Sequence, residues 1–98
     1  MGTITVSVRF TALLARALGL RSGDLVVFEL PEKATYADLM AAIGERFADQ
    51  LPPNTWDSAQ NRFHAHVRGL QNGYPLNDPA AILEPGMEVT FLVGIAGG

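Results

Sequence analysis

Polar and apolar residues alternate strictly near the start of the chain, over Thr3–Phe10. Since successive side chains of a strand point to opposite faces of a sheet, this alternation predicts a half-buried β-strand. A second stretch, Leu25–Leu30, is almost entirely apolar and β-favouring and stops at Pro31, which predicts a second strand. Apolar positions at helical spacing predict a short helix over residues 11–18, with Gly19 at its C-terminal end.

The longest helical pattern covers Thr35–Asp49. Thr35 suits the N-cap, because its hydroxyl can accept from the backbone N–H of Asp38 while the Asp38 carboxylate reaches back. Pro52-Pro53 prevents the helix from continuing. Apolar residues recur along it every three or four positions, which predicts an amphipathic helix whose core-facing stripe is Tyr36, Leu39, Met40, Ile43 and Phe47.

In the second half of the chain, the residue pattern predicts a polar loop followed by strands joined by turns. Trp56, within the loop Asn54–Asn61, is expected to pack over an edge of the core. Asn72-Gly73 predicts a hairpin, because both turn positions favour positive φ, and Pro85-Gly86 suits a type II turn. The expected elements are a strand at Arg62–Leu70, a short return strand at Tyr74–Leu76, one helical turn at Asp78–Leu83 and a last strand at Met87–Val93.

A single long amphipathic helix among several strands must bury its apolar stripe against one face of a sheet. We therefore expect an α+β, β-grasp (ubiquitin-like) fold, a mixed sheet of about four to five strands with the main helix across one face. The first hairpin is expected to be antiparallel, and the last strand to run parallel to the first. Residues 1–93 would form this domain and residues 94–98 a flexible C-terminal diglycine tail.

The net charge, the lack of cysteine and the lack of catalytic motifs exclude several classes of function for this chain. The 98 residues carry a net charge of −3 and no basic run, so neither nucleic acid nor a membrane is expected as a partner. There is no cysteine, which excludes disulfides, thiolate nucleophiles and cysteine-bound metals. No catalytic triad, phosphate loop or paired-carboxylate motif points to an independent enzyme. Because a secretory signal is also lacking, we expect a cytoplasmic protein.

The last residues are Ile95-Ala96-Gly97-Gly98. Glycine lacks a Cβ, so such a tail is thin, conformationally free and suited to enter a narrow channel in another protein. A C-terminal carboxyl group has a pKa of about 3.5 and is a carboxylate at neutral pH. It reacts with nucleophiles only after one oxygen becomes a leaving group. In a chain this rich in glycine, the same ending also arises by coincidence.

Several segments together resemble the ubiquitin-like sulfur-carrier proteins, and most of all the small subunit of molybdopterin synthase. The resemblance is carried by Ile4–Phe10 with the short helix ending at Leu18-Gly19, by Thr35–Leu39, by Asn72-Gly73, by Leu83–Phe91 and by Ala96-Gly97-Gly98.

This resemblance implies that Gly98 is the reacting residue. A partner ATP-dependent adenylyltransferase, similar to ubiquitin-activating enzymes, would adenylate its carboxylate. A sulfur donor would then replace AMP and leave a thiocarboxylate, which delivers sulfur inside an acceptor enzyme such as the large subunit of molybdopterin synthase. Gly97 would give access, and no side chain of this chain would be catalytic. ATP and magnesium would belong to the activating partner, so the chain itself is expected to bind no cofactor or metal.

The residues flanking the tail are candidates for partner binding: Leu92, Ile95 and Ala96. Leu92 is expected on the sheet face opposite the core, where exposed apolar side chains often mark a binding site. The alternative is that Leu92 packs against a loop and Ile95 is incidental.

Other readings stay open. His64 and His66 lie two residues apart and could ligate a metal, but a solvent-facing strand explains them as well. Arg62 and Arg68 could join them as a weak anion-binding patch. For the whole chain, the alternatives are a sulfur carrier for cysteine or thiamine synthesis, a protein modifier conjugated through Gly98, and a binding module whose diglycine is accidental.

Overall fold

The computed structural model describes residues 2–21, 23–47 and 49–93. Within these ranges the chain forms two helices and seven strands. In chain order they are β1 (Thr3–Phe10), α1 (Ala12–Ala17), β2 (Leu25–Pro31), α2 (Tyr36–Phe47), β3 (Trp56–Asp57), β4 (Arg62–Phe63), β5 (Val67–Gln71), β6 (Tyr74–Pro75) and β7 (Glu88–Val93).

Five strands form one mixed sheet in the order β2-β1-β7-β5-β6, while β3 and β4 form a separate hairpin. Strand β1 pairs antiparallel with β2 and parallel with β7, and β5 pairs antiparallel with both β7 and β6. The predicted antiparallel first hairpin and parallel pairing of first and last strands are therefore confirmed. The last strand lies at the centre of the sheet.

The core lies between the sheet and α2. Fully buried side chains come from β1, β7 and the helix: Val6, Val8, Phe10, Val89, Phe91, Leu39 and Ile43. Phe91 is at the centre of an aromatic cluster, with its ring centroid 5.9 Å from that of Phe10 and 4.9 Å from that of Phe63. Tyr36 and Phe47 are partly buried against this core, so the helix stripe faces the sheet as its spacing predicts.

The predicted cap of α2 is confirmed. The backbone N–H and the hydroxyl of Thr35 donate to Asp38 Oδ2 at 2.8 and 3.1 Å, and the Asp38 N–H donates to Thr35 Oγ1 at 3.3 Å. These bonds satisfy donors that a helix start leaves without intrahelical partners. The helix is described up to Phe47, and Asp49, its predicted last residue, lies in a turn. The N–H groups of Gln50 and Leu51 donate to the Phe47 carbonyl oxygen at 2.8 and 3.0 Å, and Leu51 is buried ahead of the two prolines.

The predicted continuous strand over residues 62–70 is wrong. Strand β4 ends at Phe63, and a turn closed by the Val67 N–H donating to the His64 carbonyl oxygen at 3.0 Å separates it from β5. The chain breaks here because the Phe63 ring packs edge-on against Trp56, with centroids 5.0 Å apart, and this hairpin folds onto α2 at Gly44. Trp56 is buried, as expected, and Ala65, in the turn between β4 and β5, is exposed.

The turn residues adopt the conformations that their types favour. Asn72 and Gly73 have φ of 52° and 82°, and Gly86 has φ of 77°, which confirms the hairpin turn and the type II turn. The return strand is the two-residue β6.

The helical turn predicted at residues 78–83 is not formed. The segment forms only a turn, closed by the Ala81 N–H donating to the Asp78 carbonyl oxygen at 3.0 Å. It does not continue as a helix because the carbonyl groups of Pro79 and Ala81 accept from the N–H groups of Ala37 and Tyr36 at 3.0 and 2.8 Å. The loop thereby satisfies further free donors in the first turn of α2.

Candidate functional site

Strand β7, at the centre of the sheet, is the last described element before the C-terminal residues. Its final residue, Val93, pairs with Val67 at the start of β5, and Leu92 pairs with Arg68. The predicted reacting residue Gly98, the access residue Gly97 and the predicted partner-binding residues Ile95 and Ala96 lie outside the described residues, as does the whole tail 94–98. The structure therefore describes the base of the predicted site.

The sheet face opposite α2, here called the outer face, surrounds this base. Its side chains are exposed or half-exposed along β1, β2, β5 and β7. One row of cross-strand neighbours runs over four strands: Leu25, Arg9, Thr90 and Leu70.

Leu92 lies on this outer face with 37% of its surface exposed, beside Arg68 of the neighbouring strand. The Leu92 side chain points away from the core, as the alternation of residues along the predicted last strand indicates. Leu25 and Val27 add exposed apolar surface at the far edge of the same face. The role of Leu92 in partner binding stays a prediction.

An ion pair crosses the middle of the outer face. Arg9 Nη2 lies 2.8 Å from Glu88 Oε1, and Arg9 Nε donates to the same oxygen at 3.0 Å. The sequence pattern placed Arg9 and Glu88 on solvent-facing positions of separate strands, and only the parallel β1–β7 register brings them together. Such an exposed pair contributes about 0–1 kcal/mol to stability and serves mainly to set the charge pattern of the face.

A cavity of about 560 Å³ opens beside β5, between the start of α2, the β3–β4 hairpin and the loop after β6. Met40, Phe63 and Leu76 form apolar walls, and Arg62 and Arg68 are also part of its lining. The sequence pattern predicts these two arginines on one face of one strand. In the structure they belong to β4 and β5, and the register of β5 places Arg68 opposite Leu92 on the outer face.

Tyr36 lies against the floor of this cavity. A Cβ atom built on Gly69 would be 3.1 Å from its hydroxyl oxygen, so the glycine makes room for the phenol. Burial raises the pKa of Tyr36 to about 12, because the phenolate would lose its hydration. The phenol is therefore a neutral hydrogen-bond donor at physiological pH. The helical spacing predicts Tyr36 in the core stripe but gives no sign of this position beside a cavity.

His64 and His66 lie at the rim of the same region. Their rings are nearly parallel, with centroids 6.2 Å apart, and His64 Nε2 lies 3.2 Å from the carbonyl oxygen of Pro53. Within residues 2–21, 23–47 and 49–93, no three histidine, aspartate or glutamate side chains gather in a way that could hold a metal ion.

Solved structures of similar shape include two proteins from Haloferax volcanii. The HVO 2177 protein is 24% identical, with a TM-score of 0.74, over 99% of this chain and 89% of its own. The small archaeal modifier protein SAMP1 is 20% identical, with a TM-score of 0.76, over 96% of this chain and 99% of its own. A protein from Pyrococcus furiosus assigned as molybdopterin converting factor subunit 1 is 24% identical, with a TM-score of 0.66, over 94% and 99% of the two chains.

The chain has the ubiquitin-like β-grasp fold. Each of these proteins is less than one-quarter identical to it, so the likeness establishes the architecture, which by itself does not determine function. No protein-family model matches the chain, and no curated protein matches its sequence. Neither helix in the described part of the chain is long and apolar enough to cross a membrane.

Proposed function

We propose that this β-grasp protein is a cytoplasmic sulfur carrier whose C-terminal carboxylate, on Gly98, is converted to a thiocarboxylate. Its most specific role would be as the small subunit of molybdopterin synthase, in molybdenum cofactor biosynthesis. The observation that carries the proposal is the central position of β7, whose last residue, Val93, stands only five positions before Gly98 in the sequence.

The chemistry follows from the low reactivity of a carboxylate. An ATP-dependent adenylyltransferase would let the Gly98 carboxylate attack the α-phosphate of ATP, releasing pyrophosphate and forming an acyl-adenylate. A sulfide-level sulfur donor would then attack the acyl carbon, with AMP as the leaving group. The resulting thiocarboxylate would transfer its sulfur in the active site of an acceptor enzyme. ATP and magnesium would be bound by the adenylyltransferase.

Two features support this reading. The described body of the chain resembles a protein assigned as molybdopterin converting factor subunit 1 over nearly the full length of both. The outer face offers an exposed surface next to the base of the tail, where Leu92 and Arg68 lie side by side. An activating enzyme that contacts this surface would hold the residues beyond Val93 in its own active site.

The test is co-expression of the chain ending at Gly98 with its adenylyltransferase and a sulfur donor, followed by intact mass measurement. We expect a sulfur-for-oxygen exchange that maps to the C-terminal peptide. The matched control carries one additional alanine after Gly98, which leaves the described residues unchanged but adds a Cβ at the reacting end. That control is expected to stay unmodified.

A second candidate is a protein modifier joined through Gly98 to lysines of other proteins. It is favoured by the similarity of shape to small archaeal modifier protein 1, at a TM-score of 0.76. In the same experiment a persistent isopeptide adduct would identify a modifier. Absence of both products, with partner binding unaffected by removal of Gly98, would contradict both proposals and leave a binding module with an incidental diglycine.

A further inference from the structure

The two edges of the five-strand sheet differ in how far they are open to another chain. One edge is β6, which has only two residues and includes Pro75, a residue without a backbone N–H. The other edge is β2, which spans seven residues and pairs with β1 on one side only in the described part of the chain. An edge strand presents unpaired backbone donors and acceptors to which a further strand can bind. The longer edge, β2, is therefore the place where a second chain can add.

The hydrogen bonds of β1 show which residues of β2 face this free edge. Ser7 lies opposite Val27, but its N–H donates to the Met87 carbonyl oxygen beside β7, at 3.0 Å. The backbone groups of Val27 are thus not used by β1 and point outward. Hydrogen-bonded and free positions alternate along an antiparallel pair, so the backbone groups of Leu25 and Glu29 also point to the free edge.

The side chain of Arg46, in the last turn of α2, occupies the middle of this edge. Its Nη1 donates to the Val27 carbonyl oxygen at 3.0 Å. The guanidinium carbon lies 5.2 Å from the centroid of the Phe28 ring and 5.7 Å from that of Phe47. These cation–π contacts hold the guanidinium beside the strand. Arg46 therefore takes the acceptor that the N–H of an added strand would need, as charged side chains do at other protected edges.

The sequence of β2 is complementary to itself in one antiparallel register. With Val27 opposite Val27 of a second copy, Leu25 of each copy lies opposite Glu29 of the other, and all three residues bring outward-facing backbone groups to the pair. Leu25 and Val27 are 48% and 54% exposed, so both would lose apolar surface to water. No two glutamates face each other directly, and the two-fold arrangement closes after two copies.

We propose that β2 is a self-recognition edge, through which two copies of this chain pair antiparallel about Val27, and that Arg46 keeps this edge closed. Symmetry requires both copies to release the arginine before the strands meet, so its loss acts twice on the equilibrium. The pairing uses no residue of the C-terminal tail and is independent of the sulfur chemistry proposed above.

The experiment is sedimentation equilibrium of the full chain from micromolar to millimolar concentrations. We expect the association midpoint of Arg46→Ala to lie at least about tenfold below that of the parent chain, because the charged donor no longer competes for the Val27 carbonyl group. Arg46→Met retains an unbranched stem over the two rings, lacks the donor and should associate like Arg46→Ala. The matched control is Arg16→Ala, which removes the exposed basic residue from the last turn of α1 and should behave like the parent chain.

Two further variants locate the association at β2. Added to Arg46→Ala, Val27→Lys places two like charges opposite each other across the axis and should restore the monomer. Tyr74→Lys adds the same charge at an exposed position on the opposite edge of the sheet and should leave the association unchanged. Hydrogen exchange of the Val27 and Glu29 amides in Arg46→Ala should slow as the protein concentration rises, because both become paired.

Arg46 is exposed, and amide spectra of each variant report directly whether the fold is kept. The proposal is overturned if both Arg46 variants associate no more tightly than Arg16→Ala. It is equally overturned if Val27→Lys and Tyr74→Lys have the same effect on association, or if exchange of the two amides does not depend on concentration.

Discussion

At the scale of single residues, Gly44 determines how the β3–β4 hairpin meets α2. A Cβ built on this glycine would lie 2.7 Å from Trp56 Cζ2 and closer still to Asn61 Oδ1. Glycine in a helix costs about 1 kcal/mol relative to alanine, so its presence here needs a packing reason. The Trp56 ring, buried against the helix at this point, supplies that reason.

We expect Gly44→Ala to destabilise the protein by about 1 kcal/mol or more, because overpacking outweighs the gain in helix propensity. Urea denaturation measures the change. The control is Ala41→Gly on the exposed face of the same helix, which should cost about 1 kcal/mol through propensity alone. If Gly44→Ala instead stabilises the protein, the hairpin does not pack on α2 as described.

The phenol of Tyr36 gives a second prediction at this scale. Because burial raises its pKa to about 12 from an unfolded value of 10.0, the unfolded chain loses this proton first as the pH rises. The contribution of this group is complete below about pH 10 and falls between about pH 10 and 12. Tyr36→Phe should flatten this part of the stability profile, measured by urea unfolding at several pH values.

Tyr74 is the matched control for that measurement, since it is the other tyrosine and is 75% exposed. Tyr74→Phe should leave the alkaline profile unchanged. Equal profiles for the two variants would show that the Tyr36 phenol is not desolvated in the folded protein.

At the scale of elements, the start of α2 is held by two sets of hydrogen bonds. The capping box between Thr35 and Asp38 could be predicted from sequence, because both partners lie within four residues of each other. The bonds from Tyr36 and Ala37 to the loop carbonyls could not, since that loop is more than forty residues away in the chain. The same loop was predicted to be helical because its own short-range pattern carries no sign of this use.

We expect Thr35→Ala to destabilise the protein by about 1 kcal/mol, because the Asp38 N–H loses its acceptor. Thr35→Ser retains the hydroxyl and should restore most of the loss. Chemical denaturation of both variants gives the comparison. A serine variant as unstable as the alanine variant would mean that the hydroxyl does not act as the cap.

The error over residues 62–70 also belongs to this scale. Alternation of polar and apolar residues across Phe63, Ala65 and Val67 is what a strand requires, and locally nothing contradicts it. The strand breaks because Phe63 and Trp56 bury each other and close a separate hairpin. Packing in the folded protein, which also sets the Phe63 ring against the distant Phe91, thus decided where one strand ended and the next began.

At the scale of the whole molecule, the outer face is the surface next to the base of the tail. Leu92 lies in it, whereas Ile82 is even more exposed but pairs with Thr35 at the start of α2. The two residues are therefore a matched pair of exposed apolar side chains at different places on the fold. Of the two, only Leu92 is close in the sequence to the C-terminal residues through which a partner is proposed to bind.

If the outer face binds the activating enzyme, Leu92→Glu should weaken that complex by about tenfold or more, as loss of a central apolar contact does. Ile82→Glu should bind normally. Calorimetric titration gives both affinities, and both variants should unfold within about 0.5 kcal/mol of the parent chain. Equal affinities for the two variants would place the interface elsewhere.

The sequence by itself determined the first strand, the capped amphipathic helix, the turn residues and the number of layers. Each of these follows from local periodicity or from φ preferences that act within a few residues. The β-grasp arrangement was also accessible, because one long helix and several strands leave few ways to bury a single core.

Only the tertiary structure decided the Arg9–Glu88 pair, the packing of Trp56 on Gly44 and the cavity lined by Tyr36, Met40 and Phe63. These features join residues far apart in the chain, and their geometry depends on strand register and on which hairpin folds onto the helix. Such choices are made by packing of the assembled core, in which a shift of one residue would reverse every side chain of a strand.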